Sequence, residues 1–228
     1  MASNYSLKYD VDIVMCIDAT GSMTGILDTV KRNALNFYGD VRSAMQEKGK
    51  QVNTLRVKVI AFRDYIADGD NAMLATEFYT MPKDEAEFSN LVKSINAEGG
   101  GDDPEDGLEA LAYAIKSDWT TEGMKKRQVI VVWSDDGTHE LGFGSRSPYY
   151  PKGMAKDMHE LTAWWGDRQQ PGFMDNNAKR LLLFTPDKPG WSTISQNWDN
   201  VLHFPSEAGN GLSNVEYVQI IDAISNTI

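Results

Sequence analysis

From Val11 the chain runs VDIVMCID before breaking into Ala-Thr-Gly-Ser. This apolar stretch is short for a helix and rich in β-branched residues, so it predicts a strand from Ile13 to Asp18 buried on both faces of a sheet. Asp18 then emerges at the strand's carboxyl end. Past Ser22 the period changes. Leu27, Val30, Ala34, Phe37, Val41 and Met45 recur at helical spacing and predict one long amphipathic helix, which Gly49 ends. Leu55 to Phe62 (LRVKVIAF) predicts a second strand, ending at Arg63-Asp64-Tyr65, and Ala75 to Thr80 a short antiparallel edge strand.

Helical patterns follow over Asp84 to Asn96 and Pro104 to Ser117, the second with Leu108, Leu111, Ala112 and Ile115 on one face. Between them lies EGGGDDPEDG, Glu98 to Gly107. Pro104 suits the first turn of a helix, which makes Asp103 the expected N-cap and Asp106 a residue favoured by the helix dipole. Asp102 is left to point elsewhere. Gln128 to Ser134 predicts a fully buried strand that again ends in acids, at Asp135 and Asp136.

From Thr138 to Asn177 no strand pattern occurs, which is long for a simple connection and predicts an insertion. A helix is expected there from Met154 to about Gly166, with Met158, Leu161 and Trp165 on one face. Strands at Arg180 to Phe184 and Asn200 to Phe204 follow. A capping box of Ser213 and Glu216 opens a last helix through Ile220, Ile221 and Ile224. Strands alternating with helices define an α/β protein with a parallel sheet. No internal repeat or low-complexity linker divides residues 1–228, which are expected to form one domain with an insertion at about 138–177.

Composition narrows the function classes. With 228 residues, 41% hydrophobic and 24% charged, the chain has the make-up of a globular protein of one large domain. No apolar run is long enough to cross a membrane. MASNYSLKYD enters the first strand without a basic start and an apolar core, so no secretory leader is expected and the cytoplasm is the expected compartment. Thirty-three acidic against 22 basic residues give a net charge of -11, which opposes nucleic-acid binding. The lone Cys16 has no internal disulfide partner and reads as a small hydrophobe.

In open α/β sheets, ligands bind outside the carboxyl ends of the strands. Asp18, Thr20 and Ser22 are therefore candidate oxygen ligands facing one point, and acids arrive at two further strand or loop ends. Two hydroxyls with carboxylates acting directly or through water suit Mg²⁺, which takes hard oxygen ligands at roughly 2.1 Å and keeps several waters. The plainer reading of Thr20, Ser22 and Thr24 is a helix cap, and the acids at the other ends weigh against it. His159 and His203 read as structural, because no second Cys or His stands at zinc-site spacing.

The stretch Asp18-Ala19-Thr20-Gly21-Ser22-Met23 resembles the metal-ion-dependent adhesion site of von Willebrand factor type A domains, whose first loop has the form Asp-x-Ser/Thr-x-Ser. GGGDDPED is similar to the second loop of the branch that carries Gly-Gly-Gly-Asp, and Trp133-Ser134-Asp135-Asp136 to the third. The order of elements agrees over nearly the whole chain. The resemblance implies a three-layer, doubly wound (Rossmann-like), mostly parallel sheet flanked by helices, with a divalent cation held at its top by three loops. It implies Asp18, Thr20, Ser22, Asp102 and either Asp135 or Asp136 as metal ligands. Alignment on Asp-Gly favours Asp136; alignment on the Asp-x-x-x-His form of related intracellular members, ending at His139, favours Asp135. Many relatives have a threonine where Asp102 stands, and a carboxylate there adds negative charge and tightens cation binding. Arg63 and Asp64, in an FRDY segment similar to that of intracellular members, fall in the second shell or on the rim, as do Asp103 and His139. Mg²⁺ is the expected ion, with Mn²⁺ or Ca²⁺ as alternatives.

Tyr149, Tyr150 and Trp164 in the insertion are candidate partner contacts, because interfaces are enriched in Tyr and Trp; Trp165 is expected to pack inside. The function implied is that of a stand-alone bacterial, cytoplasmic adaptor: a protein-binding module whose cation accepts an Asp or Glu from another protein, with neither nucleic acid nor membrane as partner and no catalysis. The alternative is a metal-dependent phosphohydrolase acting at the same acids. Against it, the sequence has no Gly-x-x-x-x-Gly-Lys-Ser/Thr loop and no Gly-x-Ser-x-Gly elbow, and Thr20 stands where a two-aspartate phosphatase motif needs a second acid.

Overall fold

The structure is a computed structural model that describes residues 8–33, 35–99, 104–123, 125–208 and 216–228. The first apolar run forms β1 (Lys8–Asp18), and the helical pattern after it forms α1 (Thr24–Asn33) and α2 (Phe37–Glu47). Then come β2 (Gln51–Phe62), β3 (Met73–Ala75), β4 (Tyr79–Met81), α3 (Glu85–Ser94) and α4 (Gly107–Ile115). The remaining elements are β5 (Lys126–Trp133), α5 (Met158–Trp165), β6 (Lys179–Pro186), α6 (Trp191–Asn197), β7 (Val201–Ser206) and α7 (Tyr217–Thr227).

The strands make one sheet in the order β3-β2-β1-β5-β6-β7, with β4 also paired to β2. β2, β1, β5, β6 and β7 are parallel; β3 and β4 run antiparallel along one edge. Alternation along the central strands sends side chains to two cores. Ile13, Met15 and Ile17 of β1 join Val131 and Trp133 of β5 under α1, α2, α3 and α7. Val14 and Cys16, with Ile130 and Val132, face α4, α5 and α6 on the other side. The result is the expected three-layer, doubly wound α/β fold. Connections leave β1 in opposite directions, to β2 on one side and β5 on the other, so the crevice between their carboxyl ends is the topological switch point of the sheet.

Several expectations are corrected. The single long helix after Ser22 is two helices. The Asn33 side chain donates to the Thr29 carbonyl at 2.8 Å and the Asn36 N–H to the Asn33 carbonyl at 2.9 Å, so asparagines close α1 in a turn although the apolar period continues across it. The expected edge strand over Ala75 to Thr80 is split into β3 and β4. Thr76 exchanges hydrogen bonds with Val59 through its own N–H and its hydroxyl, 3.0 and 3.1 Å, and the following residues leave the sheet, bringing Phe78 over the Arg56 guanidinium.

The helix expected from Pro104 begins only at Gly107. Glu105 is drawn into a parallel bridge with Thr138, and the Asp106 N–H donates to the Arg63 carbonyl at 3.1 Å, so this segment is extended where Pro104 suggested a first turn. The remote Thr138 hydroxyl accepts from the Leu108 N–H at 3.1 Å and caps the helix instead. Gly107 is required for space, since a Cβ there would press on the Trp191 ring of α6 at 2.6 Å. α6 was not expected from the sequence. The last helix does start at a capping box, but of Glu216 with Gln219; Ser213, like Ala34, lies outside the described residues.

Asp12 is a buried acid within the first strand. Asp12 receives two hydrogen bonds from Arg56, at 2.8 and 2.7 Å, and a third from the Thr120 N–H at 2.6 Å, fastening β2 and the segment before β5 to β1. Removing a partner from such a buried pair leaves an uncompensated charge. Asp12→Ala is expected to lower the unfolding free energy by roughly 3 kcal/mol in urea titration, and a loss below about 1 kcal/mol would show that the pair does not hold these segments.

Candidate functional site

The carboxyl ends of β1 and β5 bring together residues more than a hundred positions apart. Asp18 is the last residue of β1 and is buried. Its Oδ1 accepts from the Thr20 N–H at 3.0 Å and the Thr20 hydroxyl at 2.6 Å; its Oδ2 accepts from the Ser134 hydroxyl at 2.8 Å. Ser22, exposed in the middle of a short 3-10 turn, donates to Asp135 Oδ1 at 3.0 Å and lies 3.4 Å from the Thr20 hydroxyl. Asp18, Thr20, Ser22 and Asp135 thus share one oxygen-rich cluster, with Ser134 as a member that sequence reading missed. Its only signal was its place between the strand and the acids.

The neighbouring Asp136 points elsewhere. It forms an ion pair with Lys188 and accepts from the Gly137 N–H at 2.5 Å, while its carbonyl accepts from the Trp191 indole at 3.1 Å. Of the two aspartates left open by the sequence, Asp135 is the one placed with Asp18 and Ser22. Asp102 and Asp103 lie outside the described residues.

Arg63 lies beneath the site. Its guanidinium donates to four main-chain carbonyls, those of Ala19 (3.1 Å), Glu98 (2.7 Å), Asn71 (2.8 Å) and Asn96 (2.7 Å). It thereby ties the first loop to the approach of the second. Gly99 has φ +84°, and a side chain there would collide with Asp68 and Arg63, so the backbone needs glycine at that turn.

Asp64 and His139, expected in the second shell or on the rim, are both buried, with exposures of 0% and 8%. Asp64 Oδ1 caps the turn after β2 by accepting from the N–H groups of Ile66 and Ala67. Its Oδ2 lies 3.0 Å from His139 Nε2, and Asp106 adjoins both. Phe143 stacks on the His139 ring with centroids 3.7 Å apart.

The three aromatic candidates separate. Tyr149 is 55% exposed and lies against Gly69, on the loop that follows β2. Tyr150 is turned inward: its hydroxyl donates to Glu109 Oε1 at 2.8 Å and its ring meets Tyr65 edge-on, so it is no free anchor. Trp164 packs under the Lys116 ammonium, 3.8 Å from the ring centroid. Lys116 follows the last residue of α4, about 14 Å from that helix's site end at the usual rise per residue, which removes Trp164 from the rim. Trp165 is buried and stacked on Trp198, as expected. Ile66, in the turn after β2, and Phe143, stacked on His139, are also about half exposed and were missed by the sequence. Isolated apolar residues in loop stretches carry no signal of their own.

Comparison with known proteins agrees with this architecture. Residues 12–123, just under half of the chain, match the family model of the von Willebrand factor A domain. A search of curated protein sequences finds no match. The pilus adhesin SpaC of Lactobacillus rhamnosus GG superposes with a TM-score of 0.53 at 11% identity, over 95% of this chain and 30% of its own. Its open conformation gives 0.49 at 13% identity, over 95% and 29%. The vWF domain of the type V pili tip protein Mfa5 from Porphyromonas gingivalis gives 0.38 at 20% identity, over 57% and 39%. The first of these likenesses speaks for the fold alone, and the chain spans less than a third of that adhesin's length. Among the described residues, no helix is long and apolar enough to cross a membrane.

Burial pushes the Asp18 carboxyl up to about 6, against the hydrogen bonds from Thr20 and Ser134 that lower it, and the nearby Asp135 adds to the rise. A raised folded-state value favours the protonated folded form. Its stabilisation is complete below the unfolded value near ~4 and is lost as pH climbs through 6. In EDTA, the stability of the wild type relative to Asp18→Asn is therefore expected to fall by up to roughly 3 kcal/mol between pH 4 and pH 7. Parallel denaturation curves at the two pH values check this; an unchanged difference would mean that Asp18 ionises without cost.

Proposed function

We propose that the chain is a divalent-cation-dependent protein-binding module, with Asp18, Thr20, Ser22 and Asp135 as ligands and Asp102, assigned from sequence, as a further one. The observation that carries this reading is the Ser22–Asp135 contact at 3.0 Å beside the Thr20–Asp18 contact at 2.6 Å, which sets two hydroxyls and two carboxylates together at the carboxyl end of the sheet, with Ser22 exposed. Hard oxygen donors of this kind suit Mg²⁺ or Mn²⁺, and Ca²⁺ less well with so few. Charge supports it too: Asp18 and Asp135 are buried side by side, and buried carboxylates are ordinarily paired or coordinated to a metal. When bound, the ion supplies an electrophilic position for an Asp or Glu of the partner.

The exposed Ile66, Phe143 and Tyr149 border the same end of the sheet and offer apolar contact around the charged centre. The partner is a protein by this reading, in the cytoplasm expected from the sequence. Calorimetric titration with Mg²⁺ and with Mn²⁺ is expected to give one saturable event that Asp18→Ala abolishes; equal binding by the two proteins would reject the ligand assignment. The same metal-loaded samples are expected to leave p-nitrophenyl phosphate intact. Metal-dependent hydrolysis lost in Asp18→Ala would establish the phosphohydrolase instead.

A further inference from the structure

Beside the Asp18 site, the ends of β2 and the start of α4 enclose a group of charged side chains that this function does not use. Asp64, Asp106 and His139 each present one ligand atom, all within 4.8 Å of one another, and all three residues are buried. Asp64 Oδ2 and His139 Nε2 face each other at 3.0 Å, yet neither makes a hydrogen bond to any described group. A buried contact at this distance without hydrogen-bond geometry leaves both atoms short of what burial demands, and a cation between them supplies it. Glu109, also buried, adds another acid. Its Oε1 accepts from Tyr150 and the Gly142 N–H, its Oε2 meets no described donor, and burial raises its pKa above the ordinary glutamate range.

Among the described residues, the Arg63 guanidinium beside Asp64 in sequence donates to main-chain carbonyls. Buried carboxylates grouped with an imidazole are a ligand set that a dication satisfies. We propose that Asp64, Asp106 and His139 hold a second divalent metal ion, of the borderline class that accepts one imidazole nitrogen with two carboxylates, Zn²⁺ foremost.

The distances suit it. Ligand atoms about 2.0–2.2 Å from a shared zinc lie about 3–3.5 Å apart, as Asp64 Oδ2 and His139 Nε2 do, and the widest separation closes by at most about 1–2 Å through side-chain rotation. The surroundings hold the ligands in place. Asp64 Oδ1 is fixed by two N–H groups, Asp106 Oδ2 by the Tyr65 N–H at 2.7 Å, and the imidazole by the Phe143 ring. A cation there fastens the end of β2, the cap of α4 and the loop after β5, the last of which also carries Asp135.

The test is titration of the whole chain with Co²⁺, a spectroscopic substitute for zinc, followed by visible absorption. Four proteins are compared: wild type, Asp18→Ala, Asp64→Asn and His139→Gln. Asp64→Asn keeps the oxygen that caps the turn and removes the charge at the other, so it remains informative if His139→Gln does not fold, which circular dichroism checks. The expected result is one Co²⁺ band retained in Asp18→Ala and weakened at least about tenfold in affinity in Asp64→Asn and in folded His139→Gln. A band unaffected by Asp64→Asn, or no Co²⁺ binding by Asp18→Ala, overturns the second site. Because it uses different residues, the Mg²⁺ titration against Asp18→Ala stands or fails separately.

Discussion

A single guanidinium holds the top of this sheet together. Arg63 leaves the end of β2 and donates to carbonyls from the loop after β1, from the hairpin before β3 and from the segment after α3. Loops at a strand end have no ladder to satisfy their carbonyls, and a buried carbonyl without a donor is as unfavourable as a lost hydrogen bond. Arg63 supplies donors from a planar fork that lysine cannot match. The first loop is thereby fixed in place before any ion or partner arrives, and the positions of Thr20 and Ser22 follow from it.

The second constraint is accumulation of acid at the switch point. Parallel strands bring their carboxyl ends to one side: here β1 ends in Asp18, β5 runs into Ser134 and Asp135, and Asp64 stands two residues past the end of β2. The architecture concentrates negative charge where two strand connections diverge, in a place partly shielded from water. Hydroxyl donors from Thr20, Ser22 and Ser134 reduce the cost for Asp18 and Asp135, and no comparable set of donors reaches Asp64 Oδ2. That difference separates a hydroxyl-rich cluster of oxygen donors from a group that includes an imidazole nitrogen.

Much of the frame was legible in the sequence because strands buried on both faces leave a continuous apolar signature. The four parallel strands after β1 overlap the runs that predicted them: β2 and β6 extend further, β5 stops one residue short at Trp133, and β7 starts one residue late at Val201. Failures occurred where side chains answered to distant backbone. Thr76 substituting for a ladder partner, Asn33 ending a helix within its apolar period, and Thr138 capping α4 from the loop after β5 are choices no local pattern encodes. α6 escaped because its buried Trp191 and Ile194 are too few to make a period.

For the candidate site the division is similar. The sequence by itself determined the kind of chemistry: acids and hydroxyls at the ends of buried strands, in a loop pattern of the von Willebrand factor A family, with oxygen as the donor. Only the tertiary structure decided which acids face which. Asp135 and Asp136 are adjacent in sequence, in the turn beyond the end of β5, yet Lys188 pairs with Asp136 while Ser22 donates to Asp135. Asp64, Asp106 and His139 stand 42 and 33 positions apart in the chain, so their meeting depends on the parallel register of β1, β2 and β5. Long-range pairing of this kind is a property of the whole packed sheet, and no segment carries it alone.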